Sequence, residues 1–261
     1  MVRSKTATLT ASRPRTVVDI HAASGRDRNT GNVASLRNDR EVFEPIDDAR
    51  PGDTPWPALR WPLAPGVRLR GHRVELTPVE PERDAVALFT ALDHDAVWQH
   101  VAGRPQRPDE YAESLHQSLA AGRVPWVARL RQDYAGCAQG VVVGTSSYLD
   151  VSPEDARLEI GSTAYTPGVW GSAVNPEVKL LLLTHAFDVL GEGRVQLKTD
   201  VRNVRSQRAI ARLGAQCEGT LRRYQRRADG TVRDTVMFSV LADEWPAVRD
   251  GLQQRVAAAA R

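Results

Sequence analysis

The chain has 261 residues, of which 41% are hydrophobic and 26% charged, a composition typical of a globular protein with one large domain. The 35 basic and 32 acidic residues nearly balance, so nucleic-acid binding is not the first interpretation. No run of about 18 apolar residues occurs, and we expect no membrane partner. Cys137 and Cys217 fit a reducing cytoplasm, and neither they nor the scattered histidines have metal-ligand spacing, so we expect no metal.

Composition divides the chain into four segments. Residues 1–55 are rich in Ser, Thr, Arg, Asn and Asp, and we expect them to be mostly disordered because they have too little apolar surface to bury. Residues 56–66 are predicted to form a proline-rich linker. The folded domain is expected over residues 67–250, and residues 251–261 are expected to be the end of a C-terminal helix and a tail.

Periodicity predicts five elements in the first half of the domain. These are a strand at 74–77, helices at 81–92 and 109–121, and strands at 126–130 and 141–149. The first helix has an apolar face, and Gly122 follows the second helix as a stop signal.

The second half alternates strands and helices before a final hairpin. It contains strands at 158–165 and 195–199, helices at 175–190 and 203–213, strands at 215–223 and 232–241, and a last helix after Asp243. Residues 228–230 form a suitable hairpin turn. Mixed elements in this order predict an α+β domain on one sheet, with a βαβα unit at its centre.

The loop at 166–174 joins the first strand and helix of the βαβα unit. Gly171 allows a ligand to approach the backbone closely, and Ala173 is small. Asn175 is a suitable N-cap, and Pro176 suits the first helical position, where no donor is needed. Free N–H groups and the helix dipole would then favour an anion, and we expect a phosphate group. Alone, the loop is a weak signal, because such a loop is more often an ordinary strand-to-helix connection. A second capped helix beginning at Asn203, at the same sheet edge, strengthens the phosphate hypothesis.

Several ordered motifs resemble a known family. Residues 159–161 read Glu-Ile-Gly, residues 170–179 read Trp-Gly-Ser-Ala-Val-Asn-Pro-Glu-Val-Lys, and residues 203–214 contain a capped helix ending in Leu-Gly. Together they resemble the acetyl-CoA-binding core of the GNAT superfamily of N-acetyltransferases, and are most similar to the branch of ribosomal-protein N-terminal acetyltransferases. The resemblance covers about residues 67–250. It implies a mixed, mostly antiparallel central sheet flanked by helices, with acetyl-CoA as co-substrate.

The resemblance also implies which residues bind acetyl-CoA. The family's pyrophosphate loop has Gln or Arg, two residues, Gly, one residue, then Gly or Ala. Gly171 and Ala173 match the last two places, but Gly168 stands where Gln or Arg is expected, so a side-chain contact to phosphate is missing. Trp170 could instead serve only in packing. The implied cofactor-binding residues are Tyr165, Trp170, Gly171, Ser172, Ala173, Val174 and Asn203.

The implied reaction is direct attack of an amine on the thioester, with a base that removes the proton from the amine. Glu159 matches the acid of the Glu-Ile-Gly motif, and strand alternation would place it on one face with Gly161, Thr163 and Tyr165. Main-chain groups at the splayed strand end would hold the acetyl carbonyl. Ser206 and Tyr224 are the two candidates for protonating the thiolate.

Structural explanations compete with these catalytic assignments. Glu159 could be a solvated strand residue or the partner of an arginine. Asn203 and Ser206 could serve only as a helix cap and its first turn.

Other functions and partners stay open at this stage. One alternative is a non-catalytic CoA-binding or regulatory module, and another is an RNA- or ribosome-associated protein that uses the basic run at 222–227. The acceptor could be a protein N-terminus or a small-molecule amine. A homodimer is also allowed, because Trp56, Trp61 and Trp98, if exposed, would suit an interface.

Overall fold

The computed structural model describes residues 44–47, 55–101, 103–227 and 229–259. The segment predicted to be disordered, 1–55, lies outside the described residues except at 44–47 and 55. Residues 55–259 belong to one unit, which contains all the helices and strands below. No described helix has both the length and the apolar character needed to cross a bilayer.

The domain has eight strands and six α-helices within the described residues. The strands are β1 (Leu69–Arg70), β2 (Val74–Pro78), β3 (Val124–Leu130), β4 (Val142–Ser152), β5 (Arg157–Tyr165), β6 (Arg194–Asp200), β7 (Gln216–Arg226) and β8 (Val232–Leu241). The helices are α1 (Pro81–Leu92), α2 (Asp95–Trp98), α3 (Pro108–Ala120), α4 (Val174–Thr184), α5 (Val204–Ala211) and α6 (Trp245–Ala258).

All eight strands form one mixed sheet in the order β1-β2-β3-β4-β5-β6-β8-β7. Every neighbouring pair is antiparallel except β5 and β6, which are parallel. Parallel neighbours need a crossover, and α4 supplies it. The predicted α+β class and the mixed, mostly antiparallel sheet are confirmed.

The sheet separates two hydrophobic cores. The larger core packs residues of α4, α5 and α6 against one face of the sheet, with Leu158, Ile160 and Leu182 among its most buried side chains. The smaller core packs α1, α2 and α3 against the other face around Leu88 and Val127. The helices therefore cover both faces, and the ends of β5 and β6 lie in the middle of the sheet.

Most predicted elements occur where local signals were strong. The helix predicted at 81–92 has those bounds, and its Ala85, Leu88 and Leu92 are buried. The helix predicted to begin at Asn175 begins at Val174 instead, with Ala173 as N-cap, so the predicted cap was wrong. It continues beyond Thr184 as a π-helical segment, His185–Leu190. The short elements β1 and α2 were missed because two to four residues carry no periodic signal.

Residues 56–66, predicted as a linker, lie along the domain. Leu59 and Trp61 pack against the larger core, and Arg60 N–H donates to Leu190 O at 2.7 Å. Of the three tryptophans predicted to be exposed, only Trp56 is exposed. Trp61 is partly buried against the larger core, and Trp98 is partly buried against the smaller core. The homodimer stays a prediction.

Candidate functional site

The parallel strands β5 and β6 separate after a short paired stretch. They pair only from Arg157 with Arg194 to Glu159 with Gln196, although β5 continues to Tyr165. Both strands therefore leave unpaired main-chain groups facing a gap in the middle of the sheet. Backbone polar groups away from water require partners, so this gap suits an elongated polar ligand.

The loop before α4 lies at the open end of this gap. Gly171 has φ +75°, and a Cβ added there would meet no atom within 4 Å, so its backbone faces open space. Among the described residues its N–H has no hydrogen-bond partner. Ala173 N–H lies 3.3 Å from the Tyr134 hydroxyl, a long bond that a phosphate oxygen could replace. The open backbone fits a phosphate group.

Other amides of the loop are less available than predicted. Ser172 N–H donates to Val169 O at 3.3 Å within the loop. Val174 N–H donates to Ser172 Oγ at 3.2 Å. The predicted row of free donors is therefore reduced to Gly171, Asn175 and the weakly bonded Ala173, because the 3₁₀ segment Pro167–Val169 engages part of the loop. In the first turn of α4, Pro176 has no N–H and Glu177 N–H donates to Ala173 O.

Asn203 caps α5, as predicted, by accepting a hydrogen bond from Ser206 N–H at 3.0 Å. This cap does not exclude a ligand contact, since the Asn203 amide nitrogen is a further donor. Ser206 is half-buried in the same turn.

Glu159 lies where the two strands separate, and 2% of its surface is exposed. Its Oε2 is 2.7 Å from Lys198 Nζ, which also lies 3.3 Å from Asp150 Oδ2. Burial raises the pKa of Glu159, while the ammonium of Lys198 lowers it. A Cβ on Gly161 would lie 2.7 Å from Glu159 Oε1, so glycine there leaves room for the carboxylate. The solvated-strand explanation of Glu159 is therefore wrong, and its cationic partner is a lysine.

A bulge changes which residues share a face with Glu159. The register of β4 and β5 shifts around Ser162, whose φ is +45°. Beyond it, Thr163 Oγ1 accepts a hydrogen bond from Lys179 of α4, and Tyr165 joins the larger core. The prediction that Thr163 and Tyr165 share the face of Glu159 was wrong, because an extra residue in a strand reverses the alternation.

Tyr165 and Trp170 are linked at the start of the loop. The Tyr165 ring is buried in the larger core, and burial raises the pKa of its hydroxyl well above the ordinary range. Its carbonyl accepts a hydrogen bond from Trp170 Nε1 at 2.8 Å. Tyr165 therefore fixes Trp170, and its side chain is turned away from the gap between the strands.

Tyr224, the second candidate proton donor, is half exposed on β7. Its ring centroid is 5.6 Å from Lys198 Nζ, so it lies beside the Lys198–Glu159 pair. Arg233 of β8 is also on this side, since the negative charges of Asp200 and Glu159 both favour its charged form. Ser206 lies instead in the first turn of α5. The two candidates thus occupy different parts of the site.

Lys179 is a buried cation that the sequence analysis did not single out. Its Nζ donates to Ser146 Oγ at 2.8 Å and to Thr163 Oγ1 at 2.7 Å, which ties α4 to β4 and to the bulged part of β5. Burial lowers its pKa to about 7. A lysine beneath the strand end can therefore be neutral near physiological pH.

Replacing Lys179 tests this burial. Because its folded-state pKa lies below its unfolded value of 10.5, its contribution to stability is complete above pH 10.5 and is lost as pH falls toward 7. We expect Lys179→Met to remove this dependence of stability on pH. The free energy by which the variant is more stable than wild type should then shrink by on the order of 1 kcal/mol for each pH unit from about 7 up to 10.5. Urea unfolding at successive pH values measures it. A difference independent of pH would mean that Lys179 titrates as an exposed lysine.

The basic run at 222–227 is partly neutralised. Arg227 donates to both carboxylate oxygens of Asp200, at 2.6 and 2.8 Å, and holds the pKa of that carboxyl at about 2. Asp234 also lies beside the run, since its Oδ1 accepts a hydrogen bond from the main-chain N–H of Arg223. Arg227 thus joins the end of β7 to the end of β6, and is not a free phosphate ligand.

A separate cleft of about 740 Å³ lies beside α1, and Thr166 is the one residue of the 166–174 loop in its lining. Two arginines in its wall, Arg83 and Arg129, are both bonded to buried Asp84. Arg83 also lies 2.7 Å from Glu80 Oε1, so two carboxylates compensate the two arginines. Glu159 is not among the lining residues. No group of three His, Cys, Asp or Glu side chains placed to hold a metal occurs in the described ranges.

Comparisons with known proteins agree on one family. A family model described as the acetyltransferase (GNAT) domain matches residues 73–216. The chain is 27% identical over 167 residues to the uncharacterized N-acetyltransferase YoaA of Bacillus subtilis (strain 168), covering 61% of this chain and 89% of YoaA.

Solved structures give the same result. A protein from T. thermophilus that is assigned provisionally to the acetyltransferases is 38% identical, with a TM-score of 0.64, over 75% of this chain and 99% of that one. A GCN5-related N-acetyltransferase from Brucella melitensis is 27% identical, with a TM-score of 0.68, over 77% of this chain and 89% of that chain. The structure of Mycobacterium smegmatis RimJ in complex with CoA-disulfide shares the fold. It is 22% identical, with a TM-score of 0.59, over 74% of this chain and 93% of that chain.

These matches support an acyltransferase, as predicted, and give no support to a non-catalytic module or an RNA-associated protein. The matched residues include the separating strands, the loop before α4 and the capped helix α5. The chain belongs to the GNAT family of N-acetyltransferases.

Proposed function

We propose that the protein transfers an acetyl group from acetyl-CoA to a primary amine, which attacks directly with Glu159 as general base. The observation that carries the proposal is the position of a buried, lysine-paired carboxylate where β5 and β6 separate, with the loop before α4 at the open end of the same gap. Acetyl-CoA supplies the activated acetyl group.

The chain's own groups would bind the donor along the gap. The N–H groups of Gly171, Ala173 and Asn175, at the N-terminus of α4, would hold the pyrophosphate. Asn203 would contact the pantetheine arm with its amide, and unpaired main-chain groups of β5 beyond Glu159 would orient the acetyl carbonyl. RimJ, a protein of the same fold, is solved with CoA-disulfide, which supports this class of ligand.

Glu159 would accept a proton from the attacking amine, directly or through a water molecule. Its burial makes the carboxylate more basic, which favours proton acceptance, while Lys198 opposes this rise in pKa and favours the ionised form. For the thiolate, Tyr224 lies on the side of the base and Ser206 lies on α5, where the pantetheine arm would pass. We favour Ser206 as proton donor for that reason.

The branch that the sequence motifs resemble supports a protein N-terminus as acceptor, and a small-molecule amine stays the alternative. We propose a protein N-terminus or a small molecule with a primary amine, reached from the side of the sheet that carries Tyr224 and Arg233. A cytoplasmic location would suit Cys137 and Cys217, which are both free thiols.

A panel of amines tests the proposed reaction. Purified protein is mixed with acetyl-CoA and with N-terminal peptides, polyamines, amino sugars or amino acids, and thiol release is followed. We expect release that depends on the acceptor, with acetylated product detected by mass spectrometry. Thiol release at the same rate with and without every amine would contradict acetyl transfer to an amine.

A further inference from the structure

The loop before α4 is short of positive charge for the ligand that we propose. A pyrophosphate carries negative charge that proteins usually meet with charge-assisted hydrogen bonds, often from arginine. Gly168 offers no side chain, and the loop at 166–174 contains no basic residue. The donors available in the loop are neutral backbone amides.

The structure brings an arginine from another element to this loop. Arg205, the second residue of α5, has its guanidinium carbon 3.7 Å from the ring centroid of Trp170. Trp170 is held by its hydrogen bond to Tyr165 O, and it is the residue immediately before Gly171. A guanidinium stacked on a ring keeps its N–H groups directed sideways, where they can donate to a phosphate.

Apart from its stacking on Trp170, Arg205 has no partner for its charge among the described residues. Within the described ranges no carboxylate lies at ion-pair distance from it, whereas Arg202 lies 3.6 Å from Asp229 and Arg227 is paired with Asp200. Its side chain is exposed. A cation in the first turn of a helix also opposes the helix dipole, which slightly destabilises the free protein. An exposed guanidinium with no carboxylate partner keeps its N–H groups available for an anionic ligand.

We propose that Arg205 binds the pyrophosphate of CoA and supplies from α5 the charged contact that Gly168 cannot supply from the loop. This inference rests on the proposed function, because it takes CoA as the ligand. Trp170 then acts as the platform that positions the guanidinium. The contact between α5 and the loop would also span the open end of the gap between β5 and β6.

Isothermal titration with CoA tests the assignment without any turnover. Loss of a charged hydrogen bond corresponds to about a 10- to 100-fold weaker Kd, which we expect for Arg205→Gln. Arg208→Gln removes the same charge from an exposed residue one turn along α5 and is the matched control, with a change of less than about threefold expected. Arg205→Lys, which keeps the charge but loses the planar fork, should fall between wild type and Arg205→Gln.

Two further measurements distinguish loss of CoA binding from loss of stability, and a contact with the pyrophosphate from one with the 3′-phosphate. The thermal midpoint of free Arg205→Gln should stay close to that of wild type, because the relief of the unfavourable helix dipole offsets the loss of stacking on Trp170. Its increase on adding CoA should be smaller than the increase for wild type. Dephospho-CoA, which lacks the 3′-phosphate, should show the same loss with Arg205→Gln. A loss seen with CoA alone would assign Arg205 to the 3′-phosphate and overturn the pyrophosphate contact.

Normal CoA binding by Arg205→Gln, or equal losses in Arg205→Gln and Arg208→Gln, would overturn the inference and leave the proposed function intact. Wild-type protein that binds no CoA would contradict the proposed function, and the inference with it.

Discussion

Replacing Glu159 with glutamine is expected to lower kcat by about 100- to 10,000-fold, the range that a general base contributes. The amide keeps the shape of the side chain and its place beside Gly161, but it cannot accept the proton of the attacking amine. The carboxylate lies where the strands separate, away from the loop before α4. The Kd for acetyl-CoA should therefore stay within about twofold of wild type.

Asp150→Asn is the matched control for this variant. Asp150 is the other carboxylate close to Lys198, its side chain is largely exposed, and its φ of +48° is one that asparagine adopts readily. We expect its kcat to change by less than about threefold. Unchanged turnover in Glu159→Gln, or equal losses in both variants, would remove Glu159 from the role of base.

Replacing Lys198 with methionine is expected to move the acidic limb of the pH–rate profile to higher pH. Burial alone raises the pKa of Glu159, and Lys198 opposes this effect. Without the ammonium the pKa rises further, and because the base must be ionised, activity is lost at a higher pH as the solution is acidified. An opposite charge at this distance is worth about 1 to 3 pKa units, so we expect a shift of that size in kcat/KM.

The profile distinguishes this effect from simple structural damage. Lys198→Met should recover much of its activity at high pH, where Glu159 is ionised again. Lys198→Arg keeps the charge and should keep the limb near its wild-type position. Asp150, Tyr224 and Arg233 stay in place in both variants, so their contributions cancel. A uniform loss across all pH values, with the limb unmoved, would mean that Lys198 does not control the ionisation of Glu159.

The sequence predicted the βαβα unit well because its signals are local. Asn203 caps α5 through a bond three residues away, and Gly191 and Gly214 follow the ends of their helices with positive φ. The bounds of α1 come from Pro81 in its first turn and an apolar face at helical spacing. Such features depend on neighbours in the chain, so they are visible without a structure.

The rest of the site depends on contacts between distant residues. Lys198 meets Glu159 only because β5 and β6 are parallel neighbours, and Arg205 meets Trp170 only because both helix N-termini lie at one sheet edge. The bulge at Ser162 adds one residue to β5, and strand alternation cannot reveal it. Knowing the parallel pairing of β5 with β6 would have suggested Lys198, since it lies two residues beyond Gln196 on the same face.

Titration of the wild-type protein with acetyl-CoA tests the central claim most directly, because the claim is that the gap between β5 and β6 binds this donor. We expect one site per chain, with a Kd below about 1 mM, where the binding free energy is on the order of 4 kcal/mol. Affinity should fall in Arg205→Gln and stay unchanged in Glu159→Gln. Absence of binding up to millimolar acetyl-CoA would contradict the account.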